Sequence, residues 1–182
     1  MLIALGVKNF KSIRDRQALR LTAGNERAHQ ATHVAPGDAI SPRILKTAAI
    51  YGANARGKAN LFGVLEHVQR FIRFSASLNS GGTYTPFRFD LVSPSSPSEF
   101  DMVFLLDGVR YYYGFSILRS RVVEEWLYLY QGRKARSLFR READQQTGED
   151  VYRFGSLLRG QKKMWEQTTK PDALFLSTAG EM

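Results

Sequence analysis

The chain has 182 residues, enough for one domain with a sizeable core, and its lack of cysteine excludes disulfides and a thiol nucleophile. Its 26 Lys and Arg residues against 17 Asp and Glu give a net charge of +9, which suits a polyanionic partner. It shows no signal-peptide pattern and no apolar run of membrane-spanning length, so we expect a cytoplasmic protein without membrane contact. The histidines do not group with carboxylates, so we read them as surface or packing residues and expect no zinc site; they are His29, His33 and His67.

The first forty residues predict two strands and a loop. Residues 1–7 are apolar and predict an opening strand, and residues 17–22 alternate in the manner of an antiparallel partner. Between them Asn9 suits a turn, which Phe10 and Ile13 should anchor in the core. Residues 23–42 are polar and rich in turn-forming residues, which predicts a surface loop.

A glycine-bounded loop follows an apolar run, residues 44–51, that predicts a strand. The spacing from Gly52 to Gly57-Lys58 fits the phosphate-binding pattern G-x-x-x-x-G-K-[ST], except that the last position is Ala59. The glycines allow backbone N–H groups to face an anion, and Lys58 can reach the β- and γ-phosphates of a nucleotide. The alternative reading is a strand-to-helix turn that serves packing alone. The candidate binding residues are Gly52, Ala53, Asn54, Ala55, Arg56, Gly57, Lys58, Ala59 and Asn60.

A helix is predicted directly after this loop. Apolar residues recur at helical spacing from Leu61 to Ile72, which indicates a helix with one buried face and supplies half of the strand–loop–helix context that a phosphate loop requires.

The middle of the chain predicts antiparallel strands. Residues 87–91 alternate as a short strand, and residues 100–106 and 109–117 flank Asp107-Gly108, a pair that favours a type I′ hairpin turn. Residues 122–130 continue as a strand whose aromatic face, Trp126, Tyr128 and Tyr130, could stack bases or pack the sheet. Glu124 and Glu125 are adjacent and should point to opposite faces, which argues against a site of paired carboxylates.

The last third is basic. Lys and Arg cluster at residues 133–136, 140–141 and 159–163 beside aromatic residues, which fits either a nucleic-acid surface or the solvated side of a hairpin. Residues 139–154 predict further strands, and residues 157–167 favour a helix. A final helix is expected to open near Pro171, with a poorly ordered end or an exposed apolar face.

Three blocks of the sequence resemble a known family. Residues 1–3, 7–13 and 50–55 closely resemble the start of RecF/SMC-like ABC-type ATPases, and the match is best to the OLD-like and abortive-infection AAA ATPases of bacteria. Residues 86–87, 112–115 and 173–177 are also similar to segments of that family.

The resemblance implies an α/β (α+β) fold: the N-terminal portion of a P-loop ABC-type head, a mixed sheet with an antiparallel β-rich subdomain around the P-loop helix. We expect a single, truncated head over residues 1–182. Residues 1–78 would carry the first strands, the P-loop and its helix. Residues 79–156 would form the antiparallel subdomain, and residues 157–182 a basic tail with the start of an incomplete helix.

The resemblance also implies ATP as the ligand and a weakened Mg²⁺ site. Arg56 and Ala59 stand where the family usually has serine, and Ala59 offers no metal ligand, so no residue is assigned to metal. The family's signature helix, Walker B acids and switch residue are not visible. We therefore expect binding with impaired hydrolysis, with Lys58 stabilising the phosphates. A homodimer or a partner subunit could supply the missing motifs, in a defence or DNA-maintenance system.

Two other functions remain open from the sequence. One is a non-catalytic interaction or nucleic-acid-binding module with a vestigial P-loop, which the charge of +9 and the departures at Arg56 and Ala59 favour. The other is a truncated or engineered chain without an independent function.

Overall fold

A computed structural model describes residues 1–25, 28–35, 43–53, 57–77, 84–144 and 146–181, and within these ranges it contains nine strands and four α-helices. The strands are β1 (Leu2–Lys8), β2 (Gln17–Arg20), β3 (Val34–Ala35), β4 (Ile44–Leu45), β5 (Ser98–Leu106), β6 (Val109–Leu118), β7 (Arg121–Gln131), β8 (Lys134–Ala143) and β9 (Asp150–Phe154). The helices are α1 (Gln30–His33), α2 (Lys58–Phe74), α3 (Lys162–Thr168) and α4 (Phe175–Glu181).

A seven-stranded sheet dominates the fold, in the order β2-β1-β5-β6-β7-β8-β9, and β3 pairs with β4 apart from it. Every pairing between the named strands is antiparallel. The expected antiparallel strands are therefore confirmed. The parallel strands that a mixed sheet would also contain are not found among the described residues. Strand β1 pairs with β5, with Leu5 opposite Met102, so one sheet crosses the boundary expected at residues 78–79.

Local turn chemistry explains the tightest hairpin. Asp107 and Gly108 join β5 to β6 with φ angles of 49° and 76°, and two positive values define the type I′ turn that the sequence predicts. The predicted partner of β1 is also confirmed, because Leu19 of β2 lies opposite Leu5. The predicted turn before β2 is anchored by Phe10, which is 2% exposed and bridges to Ile13.

Helix α2 packs on one face of the sheet, as its apolar periodicity predicts. Its buried residues are Val64, Val68 and Phe71. They belong to one core with side chains from the inner face of the sheet: Leu5, Val7, Phe100, Tyr113, Phe115 and Leu127. The sheet therefore fixes the axis of α2, and with it the position of the loop from which the helix begins.

The strand predicted over residues 44–51 is wrong beyond its first two residues. Strand β4 ends at Leu45, whose N–H donates to the carbonyl of Leu21, and residues 47–53 have no regular structure. Tyr51 is 90% exposed. An extended segment becomes a strand only when a neighbouring strand pairs with its backbone, and no named strand pairs with residues 46–53 within the described ranges.

The strand predicted over residues 87–91 is also wrong. Its alternation does not mark a buried face, because Phe89 and Leu91 are 87% and 97% exposed. The backbone here bonds to side chains. Phe87 N–H donates to Asn9 Oδ1, and the N–H groups of residues 92 and 93 donate to Asp90 Oδ1. Side-chain acceptors of this kind favour a loop over a ladder.

The prediction of a loosely packed C-terminal end is wrong as well. Leu174 and Phe175 are 0% and 1% exposed, and α4 continues to Glu181. Two reciprocal hydrogen bonds join this segment to the end of α2: Leu174 N–H donates to Ser75 Oγ, and Ala76 N–H donates to Ser177 Oγ. The apolar run that the sequence leaves uncovered is thus buried between α2 and the sheet.

A buried ion cluster contacts the same C-terminal segment from the side of the sheet. It consists of Glu125, Arg141 and Asp150. Glu125 accepts hydrogen bonds from the N–H groups of Phe175 and Leu176 at 2.7 and 3.0 Å, at the start of α4. Arg141 donates to Asp150 at 2.6 Å and lies 3.9 Å from Glu125. Burial raises the pKa of Glu125, and the Arg141 charge opposes that rise. The cluster therefore ties the C-terminal segment to β7, β8 and β9.

His67 lies in an aromatic part of the core, where packing is its role, as the sequence suggests. Its ring centre is 5.2 Å from that of Phe10, 5.9 Å from Phe71 and 4.9 Å from Phe100. Burial, together with the nearby charge of Lys11, lowers the pKa of His67 to about 4.

This shift predicts a loss of stability in acid. As the pH falls from 7 to 4, the unfolded chain protonates His67 near its ordinary pKa of about 6.5, while the folded protein keeps it neutral. The unfolded state binds more protons, so the free energy of unfolding should fall by about 3 kcal/mol. Urea titrations at several pH values should show this fall flattened in His67→Phe. The exposed control His33→Phe should keep the wild-type slope, and equal slopes in all three proteins would contradict the prediction.

Candidate functional site

The candidate phosphate loop begins at the surface and ends at the first turn of α2. Gly52 and Ala53 are exposed and irregular, whereas Gly57 directly precedes the helix. Asn54, Ala55 and Arg56 lie outside the described residues. The structure thus brings together both ends of the loop and the start of the helix that carries Lys58.

Lys58 folds back over the loop. Its ammonium donates to the backbone carbonyl oxygens of Gly52 and Ala53, at 2.5 and 2.7 Å. No carboxylate among the described residues forms an ion pair with it. The amine therefore lies at the first residues of the loop, where an anion can replace the neutral carbonyl groups as its partner.

The start of α2 is shaped to accept an anion. Gly57 has φ 81° and ψ 7°, a left-handed conformation that any side chain would strain. Among the residues that the structure describes, no side chain caps the helix at this end, and its first turn contains no acidic residue. The first N–H groups of a 17-residue helix are thus uncapped by side chains, and together with the helix dipole they favour negative charge.

The turn after β1 supports the loop from one side. Asn60 Nδ2 donates to the hydroxyl of Ser12, and an added Cβ on Gly57 would lie 3.5 Å from that oxygen. The ammonium of Lys11 lies against Gly63, where a Cβ would come within 2.8 Å of it. Sequence reasoning did not assign Ser12 or Lys11 to the site, since nothing local shows that the first turn meets α2.

The residues fit a polyphosphate better than they fit its usual metal. Lys58, Gly57 and the uncapped helix start offer a cation and N–H donors. Ala59 is exposed at the position where a hydroxyl would coordinate Mg²⁺, and its methyl group has no donor atom. Among the described residues, no group of three or more His, Asp or Glu side chains is placed to hold a metal ion.

The other candidate residues separate in space. Glu124 and Glu125 do point to opposite faces, with side chains 34% and 0% exposed. The basic pair 140–141 is also divided, because Arg140 lies on the outer face of the sheet whereas Arg141 is buried in the ion cluster. Arg141 is therefore neither a surface charge nor a nucleic-acid contact, contrary to both readings of that basic stretch.

Comparison with known proteins gives one family. A family model described as an AAA domain, putative AbiEii toxin, type IV TA system, matches residues 48–166, more than half of the chain. No curated protein matches the chain in sequence. Of the helices that the structure describes, none combines the length and apolar character that a bilayer span requires.

Proposed function

The chain belongs to this family of AAA domains, and on that premise we propose that it binds ATP at residues 52–60 with a weakened Mg²⁺ site and little hydrolysis. The family makes it a P-loop ATPase-like module, and such modules generally use a nucleotide and Mg²⁺. The observation that carries the proposal is the Lys58 ammonium held over the loop at the uncapped start of α2.

Each group at the loop has a separate role in binding. The Lys58 ammonium leaves the carbonyl oxygens of Gly52 and Ala53 and binds phosphate oxygens instead. Gly57 turns the backbone so that the N–H groups at the start of α2 face the same anion. Bound Mg²⁺ would neutralise charge on the phosphates, but Ala59 supplies no ligand for it.

Slow turnover follows from the same residues. Phosphoryl transfer needs a positioned metal and a group that orients the attacking water, and the loop residues provide neither. A second copy of the chain or a partner subunit would have to contribute the missing acidic residues. The similarity to OLD-like and abortive-infection ATPases, together with the family's description as a toxin of a type IV TA system, supports a role in bacterial defence or DNA maintenance.

An isosteric pair of substitutions at position 59 tests the proposal. Ala59→Thr restores the hydroxyl, so ATP affinity measured by calorimetry in the presence of Mg²⁺ should rise about 10- to 100-fold over wild type. Ala59→Val has the same shape without the oxygen and should show no gain. Without Mg²⁺ all three proteins should bind ATP with similar affinity. If wild type gives no heat with ATP under either condition, or if valine gains as much as threonine, the proposed site is wrong.

A further inference from the structure

The sheet face turned away from α2, called the open face below, carries a row of aromatic side chains. Tyr112 lies directly opposite Tyr128. Their rings stack, with centres 6.3 Å apart and planes inclined by 23°. Trp126 is 5.9 Å from Tyr112, and Tyr130 continues the row two residues further along β7. All four are half-buried, and no ring contact among the described residues joins them to a helix. The row therefore presents part of its aromatic surface to solvent.

One end of the row is fixed by a glycine. A Cβ added to Gly114 would overlap the indole ring of Trp126, so the ring lies against the backbone of β6. A large side chain seated in this way loses little further freedom on binding a ligand, which favours a stacking platform over a flexible patch.

Arginine side chains lie along the same face. The Arg110 guanidinium is 4.0 Å from the centre of the Tyr130 ring and has no ion pair among the described residues. Arg153 has a side chain 69% exposed, and its one ion-pair partner among the described residues, Glu142, is 3.7 Å away. Both cations can therefore bind a phosphate without breaking a close ion pair.

A cleft of about 310 Å³ adjoins the aromatic row. Its walls include Tyr128, Ser137, Arg140, Arg153 and Phe154. Arg140 is held in place by Glu124 at 2.9 Å and Glu142 at 2.5 Å. An aromatic ring beside two guanidinium groups suits a planar ring that carries a phosphate.

Beyond Tyr130 the row ends near the β7–β8 turn, where Tyr130 lies opposite Ala135. Lys134 and Arg136 lie opposite Gln131 and Leu129, so alternation places them on the other face of the sheet and outside the row.

We propose that the open face binds single-stranded nucleic acid. Bases stack on Tyr112, Tyr128 and Tyr130, while phosphates contact Arg110 and Arg153. The charge of the chain, +9, complements a polyanion rather than an ordinary protein surface. In a duplex the faces of the bases are covered by their neighbours, so the aromatic row can stack only on the bases of a single strand. This site is separate from the loop at residues 52–60 and does not depend on nucleotide binding there.

Fluorescence anisotropy of the full chain with labelled dT15, U15 and a hairpin duplex tests the proposal. At about 50 mM salt both single strands should bind more tightly than the duplex, and their relative affinity tells DNA from RNA preference. Tyr128→Leu, which keeps apolar bulk but removes the ring, should weaken binding about 5- to 100-fold. Tyr128→Phe keeps the ring and should bind nearly as wild type.

Charge variants separate phosphate contacts from general attraction. Arg153→Gln should reduce the slope of log affinity against log salt by about 0.7, the value for one phosphate contact on a single strand. Arg73→Gln removes an equal charge from the exposed end of α2, on the other side of the sheet, and should leave the slope unchanged. The proposal is overturned if duplex binds as well as single strand, if folded Tyr128→Leu binds as wild type, or if Arg73→Gln acts like Arg153→Gln.

Discussion

Replacing Arg141 with methionine should lower the free energy of unfolding by about 3–5 kcal/mol, because Glu125 would remain as a buried charge without its cation. Both residues are 0% exposed. Arg141 also donates to Asp150 and to the carbonyl oxygens of Ala173 and Lys170, at 2.6, 2.6 and 3.1 Å. The substitution therefore removes the donor of three hydrogen bonds and the cation of an ion pair. Methionine replaces the volume of the arginine side chain but neither its charge nor its donors.

The adjacent residue provides a matched control. Arg140→Met removes the same group from the open face, where Arg140 is 39% exposed and pairs with Glu124 and Glu142. Partly exposed pairs contribute little, so it should cost about 1 kcal/mol or less. Urea unfolding at 25 °C distinguishes the two variants. A similar loss in both would mean that the buried ion cluster does not stabilise the C-terminal segment in the way described.

A test of coupling follows from the same contacts. Glu125→Gln removes the buried charge but keeps an acceptor for Tyr113, whose hydroxyl donates to Glu125 at 2.9 Å. In the double variant Glu125→Gln/Arg141→Met, no unpaired charge remains between these two positions, so the total loss should be smaller than the sum of the single losses. Strict additivity would show that the two side chains act independently.

Lys58→Ala should weaken ATP binding by at least about 100-fold, since it removes charge-assisted hydrogen bonds to phosphate that contribute about 1.5–3 kcal/mol each. Among the described residues, the ammonium donates to carbonyl oxygens of its own loop, those of Gly52 and Ala53. The free energy of unfolding should therefore change by about 0.5 kcal/mol or less. A large functional loss without a stability loss is the expected signature of a ligand-binding lysine.

The control for charge is Lys163→Ala, an exposed residue in α3 far from the loop in sequence. Its ATP affinity should match wild type in the same calorimetric titration. Equal losses in Lys58→Ala and Lys163→Ala would indicate that ATP is attracted by the net positive charge rather than bound at the loop. Retention of wild-type affinity by Lys58→Ala would remove the lysine from the site altogether.

Features with local causes could be predicted from the sequence. Asp107-Gly108 determines its own turn through two residues that tolerate positive φ, and the spacing of Val64 and Val68 places them on the buried face of α2. Gly57 and Lys58 lie where the pattern places them, directly before α2 and at its first residue, because that position depends on immediate neighbours. Their role in binding a nucleotide stays a prediction.

Features that depend on distant partners could not be predicted. Whether residues 46–53 form a strand depends on a pairing partner, which no local pattern reveals, and no named strand pairs with them. The burial of Phe175 depends on Glu125, fifty positions earlier in the chain. The position of Ser12 beside Asn60 depends on how β1 enters the sheet. Alternation does place Arg141 on the same face as Phe139, and that was the one available sign of its burial.

The order of strands also sets a sequence of events during folding. Strands β5 to β9 are neighbours both in sequence and in the sheet, so closing each hairpin costs little chain entropy. Strand β1 must instead pair with β5 over a large separation in sequence, with Leu5 opposite Met102. The core that contains Val64 and Val68 also includes Leu5, so α2 can complete its packing only after that encounter. We therefore expect the meander to form early, and the glycine loop to acquire its working shape among the last parts of the chain.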